Sequence, residues 1–364
     1  MDEILNFEVH CLGLSKLLEK IILKFIAPSR ELPLQIDITN ACNLNCSHCY
    51  HSNHINKNTL DLSQWKTVLK QYEEIIKTMG YQPNILVCGG EPLTSPIFVD
   101  VLKSIKETEK SLGKECRIGI LTNGTLAHKL SHEAIETLQS FKNVCFQVSL
   151  EGPEASSHDL IRGQGAFDKA INGIHFLQNH GFKVRIASVL STQTVGQIKD
   201  MFELALKLNV EEINFARLIE VGTAKTHSSD NSTLKPLELK EAYEKILIAS
   251  STTGVRTDLH KPLMHLIQQG LGRSGRFFEG LVVDHQGNIL ASSRSRLKLG
   301  HVFKEGLTGV FYENPILKSI RKGQIEKCGE CKFSKICGGD RNAAYASTGN
   351  YLGPDPGCWL GIQN

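Results

Sequence analysis

The segment Leu34-Gln-Ile-Asp-Ile-Thr39 runs directly into Asn40-Ala-Cys42-Asn-Leu-Asn-Cys46-Ser-His-Cys49. Its first half is short and rich in β-branched residues, the composition of a strand. Its second half sets three cysteines at C-x3-C-x2-C on the loop at that strand's carboxyl end. Five further segments repeat the strand pattern: Asn84–Cys88, Cys116–Thr122, Asn143–Leu150, Lys183–Leu190 and Glu212–Leu218. Helical patterns separate them, the first after Ser63 as the expected N-cap. The others lie near Pro96–Leu112, Ser131–Phe141, Ala166–His180 and Val195–Leu208. Strands joined by helices run parallel, with right-handed crossovers. Six such units make a partial barrel or an open sheet, and either places its working site at the carboxyl ends of the strands.

Those ends are polar and rich in glycine. The second strand runs into Gly89-Gly90-Glu91-Pro92 and the third into Thr122-Asn123-Gly124-Thr125. The fourth ends Ser149-Leu150-Glu151-Gly152, and the sixth ends at Arg217 with Glu220 and Gly222 following. Glycine and asparagine also form ordinary turns, so each motif alone says little. After Gly222 the rhythm breaks. One or two helices are expected near Leu237–Ser251 and Lys261–Gln269, and Leu281–Ser293 has the pattern of a hairpin turning at His285–Asn288. The expected organisation is an N-terminal extension over 1–32, a barrel over 33–225, a helical linker over 226–275 and a small domain over 276–364.

Composition bounds the rest. The 364 residues are 41% apolar and 22% charged, with a net charge of +3. That fits a globular chain and gives no electrostatic reason to expect nucleic acid as a partner. Leu12–Ala27 has the periodicity of an amphipathic helix, with packing on the main domain or a membrane surface as its uses. No apolar run reaches the ~18 residues that a transmembrane helix needs. The eleven cysteines are too few and too clustered for a disulfide scaffold, and the expected location is the cytoplasm, where thiols stay reduced. Cys88, Cys116 and Cys145 fall inside expected strands and act there as small apolar residues. Cys11 belongs to no motif.

Three thiolates on one loop suit three irons of a cubane cluster and leave the fourth iron open for a ligand. His48, His51 and His54 nearby make zinc the competing reading, and three buried thiols the plain one. The second group, Cys328-x2-Cys331-x5-Cys337 with Cys358 following, offers four soft ligands. That is a closed site for zinc or for a fully ligated cluster.

Taken together and in order, these motifs resemble the radical S-adenosylmethionine (SAM) enzymes. The resemblance runs over nearly the whole chain from residue 33 and implies a partial (β/α)6 barrel holding a [4Fe–4S] cluster on Cys42, Cys46 and Cys49. SAM would chelate the open iron and be cleaved to methionine and a 5′-deoxyadenosyl radical, which takes a hydrogen atom from the substrate. Gly89, Gly90 and Glu91 would contact the methionine amino end. Thr122, Asn123 and Ser149 would line the cofactor cleft, and Arg162 would pair with the cofactor carboxylate or form a salt bridge. His48 stands where the family usually has a bulky aromatic residue near the adenine.

The C-terminal group resembles the SPASM extension of these enzymes, a small domain that holds auxiliary clusters. It implies one auxiliary [4Fe–4S] cluster on Cys328, Cys331, Cys337 and Cys358. The cysteines for a second auxiliary cluster are missing, with Ser292 and Ser293 after the hairpin and Asp340 after the trio. Asp340 is expected to be a cap or a solvated acid rather than a ligand. The resemblance implies modification of a ribosomally made peptide or protein side chain first, and haem-type tetrapyrrole or other small-molecule chemistry second. A non-catalytic iron–sulfur carrier is the reading from another class. An electron donor such as a ferredoxin or flavodoxin is implied, and a leader-binding partner chain would fit a peptide substrate. No catalytic acid or base is identified; Asp284, Glu220 and Asp340 are candidates by location.

Overall fold

The computed structural model describes residues 31–51, 54, 57–227, 232–259, 261–267 and 280–361. The amphipathic helix expected over 12–27 lies outside the described residues. Six strands form the parallel part of the sheet: β1 (Glu31–Asp37), β2 (Gln82–Cys88), β3 (Arg117–Thr122), β4 (Asn143–Ser149), β5 (Lys183–Leu190) and β6 (Ile213–Arg217). They pair in sequence order, each parallel to the next. Helices α1 (Leu62–Met79), α2 (Phe98–Leu112), α3 (His132–Gln139), α4 (Ala155–Arg162), α5 (Ala166–Asn179) and α6 (Ile198–Lys207) fill the crossovers. This is the α/β architecture of a partial (β/α)6 barrel.

Side-chain alternation shows how the sheet is layered. In β4 and β5 fully buried and half-buried residues alternate. The buried set packs against the helices, as Phe215 of β6 does by stacking on Phe202 of α6 at 5.8 Å. The other set, Cys145, Gln147 and Ser149 on β4, faces the opposite, concave side. Helix α1 buries Trp65, Val68, Leu69, Tyr72, Ile75 and Ile76, one stripe at helical spacing. Tyr72 ties that stripe to the sheet, donating to the Leu32 carbonyl at 2.5 Å and accepting from Asn84 N at 2.9 Å. The N-cap of α1 is Asp61 rather than Ser63. Its carboxylate accepts from Gln64 N, and the Gln64 side chain returns a bond to Asp61 N, a complete capping box that a serine two residues later cannot make.

The remaining elements are α7 (Thr223–Thr226), α8 (Pro236–Thr253), α9 (Met264–Ile267), strands β7 (Leu281–Val283), β8 (Asn288–Leu290) and β9 (Lys298–His301), and helices α10 (Gly306–Glu313), α11 (Pro315–Arg321) and α12 (Arg341–Thr348). The expected hairpin is present as β7 and β8. It continues the same sheet, because β7 lies parallel to β1 with Leu34 opposite Leu281. Gln71 of α1 fastens the following chain, donating to the Val302 carbonyl and accepting from Leu307 N. Among the described residues no helix is long and apolar enough to cross a membrane.

Candidate active site

The loop after β1 carries Cys42, Cys46 and Cys49, and three neighbouring elements hold it. Asn123, just past β3, donates to Asn43 Oδ1 at 3.0 Å, and Asn43 donates to Thr125 Oγ1 at 2.9 Å. Ser47 N donates to the Ile161 carbonyl in α4 at 3.0 Å, and Ala224 N in α7 donates to the Cys49 carbonyl at 3.0 Å. Each thiol has a donor beside it. Leu44 N lies 3.5 Å from Cys42 Sγ, His51 N 3.4 Å from Cys49 Sγ and an Arg162 Nη1 3.9 Å from Cys46 Sγ. Burial pushes the Cys42 thiol up to about 11 and moves Cys46 and Cys49 the same way. A bound metal reverses that preference, because thiolate ligands give up their protons to it.

The end of β2 lies flush against this loop. Gly90 N donates to the Thr39 carbonyl at 2.9 Å and Glu91 N to the Ala41 carbonyl at 2.8 Å. The approach needs glycine. A Cβ on Gly89, whose φ is +140°, would sit 2.2 Å from the Thr39 oxygen, and one on Gly90 would sit 2.3 Å from the Ala41 oxygen. The Glu91 side chain is fully buried. Its carboxylate accepts from Thr122 Oγ1 at 2.7 Å, Asn123 N at 2.7 Å and Leu93 N at 3.2 Å. Burial raises its pKa to about 7, with the bonds from Asn123 and Thr122 pulling the other way. Glu91 thus fixes the end of β3 against the end of β2.

Ser149 ends β4 on the concave side, half-buried. Two residues on, Glu151 is the centre of a charge network. Arg162 meets it at 2.6 and 3.0 Å, His48 Nε2 lies 2.9 Å away and Val189 N donates at 2.8 Å. Burial opposes ionisation of Glu151, yet Arg162 and His48 outweigh it and hold the carboxyl well below the usual range. His48 and Arg162 are therefore brought together by Glu151, whose role nothing local in the sequence reveals. His51 is buried, and burial, with the Arg296 charge adding to it, pushes its imidazole down to about 3.

The second cysteine group lies on the loops around α12. Leu263 N donates to Cys337 Sγ at 3.3 Å, Phe333 N to Cys331 Sγ at 3.5 Å and Arg341 to Cys328 Sγ at 3.8 Å. Cys358 feels the charges of Cys328 and Cys331, and Cys337 that of Cys328, so the four thiols form one neighbourhood. Asp340 is the N-cap of α12, accepting from Asn342 N and Ala343 N. Asp284 closes the β7–β8 turn by accepting from Gln286 N and Asn288 N. Glu220 lines a cavity of about 320 Å³ between Arg217, Lys235 and Ala343.

All ten described cysteines are free thiols. Among the described residues no three His, Cys, Asp or Glu side chains converge on one point, as a single ion requires. A cubane cluster asks for another arrangement, with each thiolate meeting its own iron. Sets of three and of four thiols, nearly every one beside an N–H or guanidinium donor, fit that demand.

Residues 36–205 match the family described as the Radical SAM superfamily. The AdoMet-dependent heme synthase of Methanosarcina barkeri is 25% identical over 349 residues, 88% of this chain and 94% of that protein. The antilisterial bacteriocin subtilosin biosynthesis protein AlbA of Bacillus subtilis is 24% identical, over 85% of this chain and 68% of its own. Among solved structures, Streptococcus suis SuiB bound to its precursor peptide SuiA superposes with a TM-score of 0.71. It is 19% identical and covers 95% of this chain and 80% of its own.

Proposed function

We propose, from the premise that this chain carries a radical SAM domain over residues 36–205, that it is a radical SAM enzyme modifying a ribosomally made peptide or a protein side chain. Cys42, Cys46 and Cys49 would hold the [4Fe–4S] cluster and leave one iron for SAM. Bound together, cluster and SAM supply one-electron chemistry able to remove hydrogen from an unactivated carbon. The chain's own residues position and shield. The glycine edge Gly89–Gly90 leaves room for backbone to approach a ligand closely. Glu91 locks Thr122 and Asn123 beside Cys42, and the Glu151–Arg162 pair walls the side next to Cys46, with His48 against it. The observation that carries this reading is the trio of thiols at the end of β1, lying against the glycine edge of β2.

Cys328, Cys331, Cys337 and Cys358 would hold one auxiliary [4Fe–4S] cluster, so a loaded chain carries about eight irons. Twelve would require a second auxiliary site, and four would remove the first. Peptide modification is supported by AlbA and by the fold shared with SuiB. A specific observation favours a second reading, tetrapyrrole side-chain chemistry. The match spans 94% of the heme synthase but 68% of AlbA, so it covers nearly all of the former. Visible titration with an iron tetrapyrrole separates the two, since a saturable shift in its absorption selects the second reading and none leaves the first. A cytoplasmic location, a ferredoxin or flavodoxin as electron donor and a leader-binding partner complete the proposal. Its direct test is release of 5′-deoxyadenosine from SAM by the reduced, reconstituted protein. No release with the barrel cluster intact would favour a carrier.

A further inference from the structure

Each cysteine site holds one arginine against a thiol, Arg341 buried and Arg162 nearly so, and the two keep different company. In the barrel, the arginine beside Cys46 is Arg162, and the carboxylate of Glu151 answers its charge at 2.6 Å. Beside the auxiliary cysteines the arginine is Arg341, 3.8 Å from Cys328 Sγ. Its other donors go to the backbone carbonyls of Gly339 at 3.2 Å, Tyr351 at 3.3 Å and Gly353. Arg341 is only 7% exposed. The nearby acids are engaged elsewhere. Asp355 clamps Arg217 at 2.9 Å, and Asp340 caps α12 while facing Arg217 and Arg294. Among the described residues no acid forms an ion pair with Arg341.

A buried cation without a counter-charge costs several kcal/mol even after relaxation. Carbonyl dipoles offset part of that. The negative charge still within reach is that of the cysteine site itself. Four thiolates around an iron–sulfur core leave a net negative charge, which grows by one on reduction. A guanidinium donating to one of the sulfurs favours the more negative state, and hydrogen bonds and charge at the sulfurs are among the main determinants of cluster potential. At the barrel site the same device is cancelled by Glu151.

We propose that Arg341 is the counter-charge of the auxiliary cysteine site and raises its reduction potential above that of the barrel site. This rests on the reading that Cys328, Cys331, Cys337 and Cys358 hold an iron–sulfur cluster. It makes the auxiliary site the easier of the two to reduce. Arg341 is a positioning and tuning residue, because it acts through Cys328.

The test is a redox titration of the reconstituted full chain, followed by electron paramagnetic resonance and paired with an iron count, for the wild type, Arg341→Gln and Arg341→Lys. The wild type should show two signals, with the auxiliary one titrating at the higher potential. Arg341→Gln should keep about eight irons and lower that midpoint by at least about 59 mV, a tenfold change in the ratio of reduced to oxidised form. Arg341→Lys, which keeps the charge, should recover most of the shift. An unchanged midpoint in Arg341→Gln, or a wild-type auxiliary signal below the barrel one, overturns the proposal. If the glutamine variant fails to load while the lysine variant loads and keeps the wild-type midpoint, the charge requirement stands. If neither loads, the fork's geometry holds the loop and the charge assignment fails. A wild type with about four irons removes the auxiliary cluster itself, a failure distinct from an unmoved midpoint.

Discussion

The auxiliary loops hang on one buried ion pair, and Asp355→Ala tests how much of the C-terminal site depends on it. The Asp355 carboxylate is fully buried and accepts from Arg217 Nη1 at 3.0 and 2.9 Å, from Asp340 N at 2.7 Å and from Gly357 N at 2.8 Å. Arg217 ends β6, so the carboxylate pins the segment 337–358 to the barrel. Removing one partner of a buried pair costs ~3–5 kcal/mol, and here it leaves Arg217 with Asp340 at 3.9 Å as its remaining acid. Each orphaned backbone N–H adds ~1–3 kcal/mol where water cannot reach it. These terms share one network and do not add fully, which puts the loss at about 5 kcal/mol. A domain has only ~5–15 kcal/mol in hand, so the loss suffices to open this segment. The segment carries Cys337 and Cys358, half of the auxiliary set. The expected result is a fall from about eight irons to about four, measured after anaerobic reconstitution, with SAM cleavage retained. Full iron content, with a denaturant midpoint that corresponds to a loss below about 1 kcal/mol, would refute the reasoning.

Three further outcomes follow from the geometry. Gly90→Ala drives a Cβ into the Ala41 and Asn40 carbonyls, so SAM binding measured by equilibrium dialysis should weaken at least tenfold; an unchanged affinity would show that the glycine edge is not part of the site. Glu91 has a folded pKa of about 7, above its unfolded value, so its contribution is complete below about pH 4.5 and is lost as pH rises through 7. At about 1.4 kcal/mol per unit this amounts to ~3 kcal/mol, and Glu91→Gln should flatten that part of the apo protein's stability–pH curve, whereas parallel curves would contradict the assignment. Asp340→Ala removes the cap of α12, at a cost of ~1 kcal/mol, together with its contacts to Arg217 and Arg294, and should leave the iron count unchanged; lost iron with an unchanged denaturant midpoint would make Asp340 a ligand.

Much of the fold was legible because its signal is periodic. Six β-branched segments separated by amphipathic helices permit few arrangements, and the parallel sheet follows from the connections alone. What was not legible depends on contacts between distant parts of the chain. Nothing local in Leu281–Val283 says that it will pair with β1. Strand β9 and helix α11 are too short to show a clear period. The two cysteine groups stand out as candidates, because close thiol spacing is itself a chemical signal. Glu151 could not be given a role, since its partners His48 and Arg162 come from other loops and helices. Asp284 shows the opposite difficulty. In sequence a turn acceptor looks like a catalytic acid, and only the backbone N–H groups of Gln286 and Asn288 that it accepts from tell them apart, whereas Asp340 caps α12, one of the roles expected of it. Asp61 displaced Ser63 as a cap for the same reason, because reciprocity with Gln64 decides.

The central claim is that Cys42, Cys46 and Cys49 build a centre that cleaves SAM. The most direct measurement is 5′-deoxyadenosine released by the dithionite-reduced, reconstituted chain, compared with the variant in which all three are alanine and with Cys328→Ala. Release by the wild type and by Cys328→Ala, with none from the triple variant, is the predicted result. Release by the triple variant at the wild-type rate would contradict it.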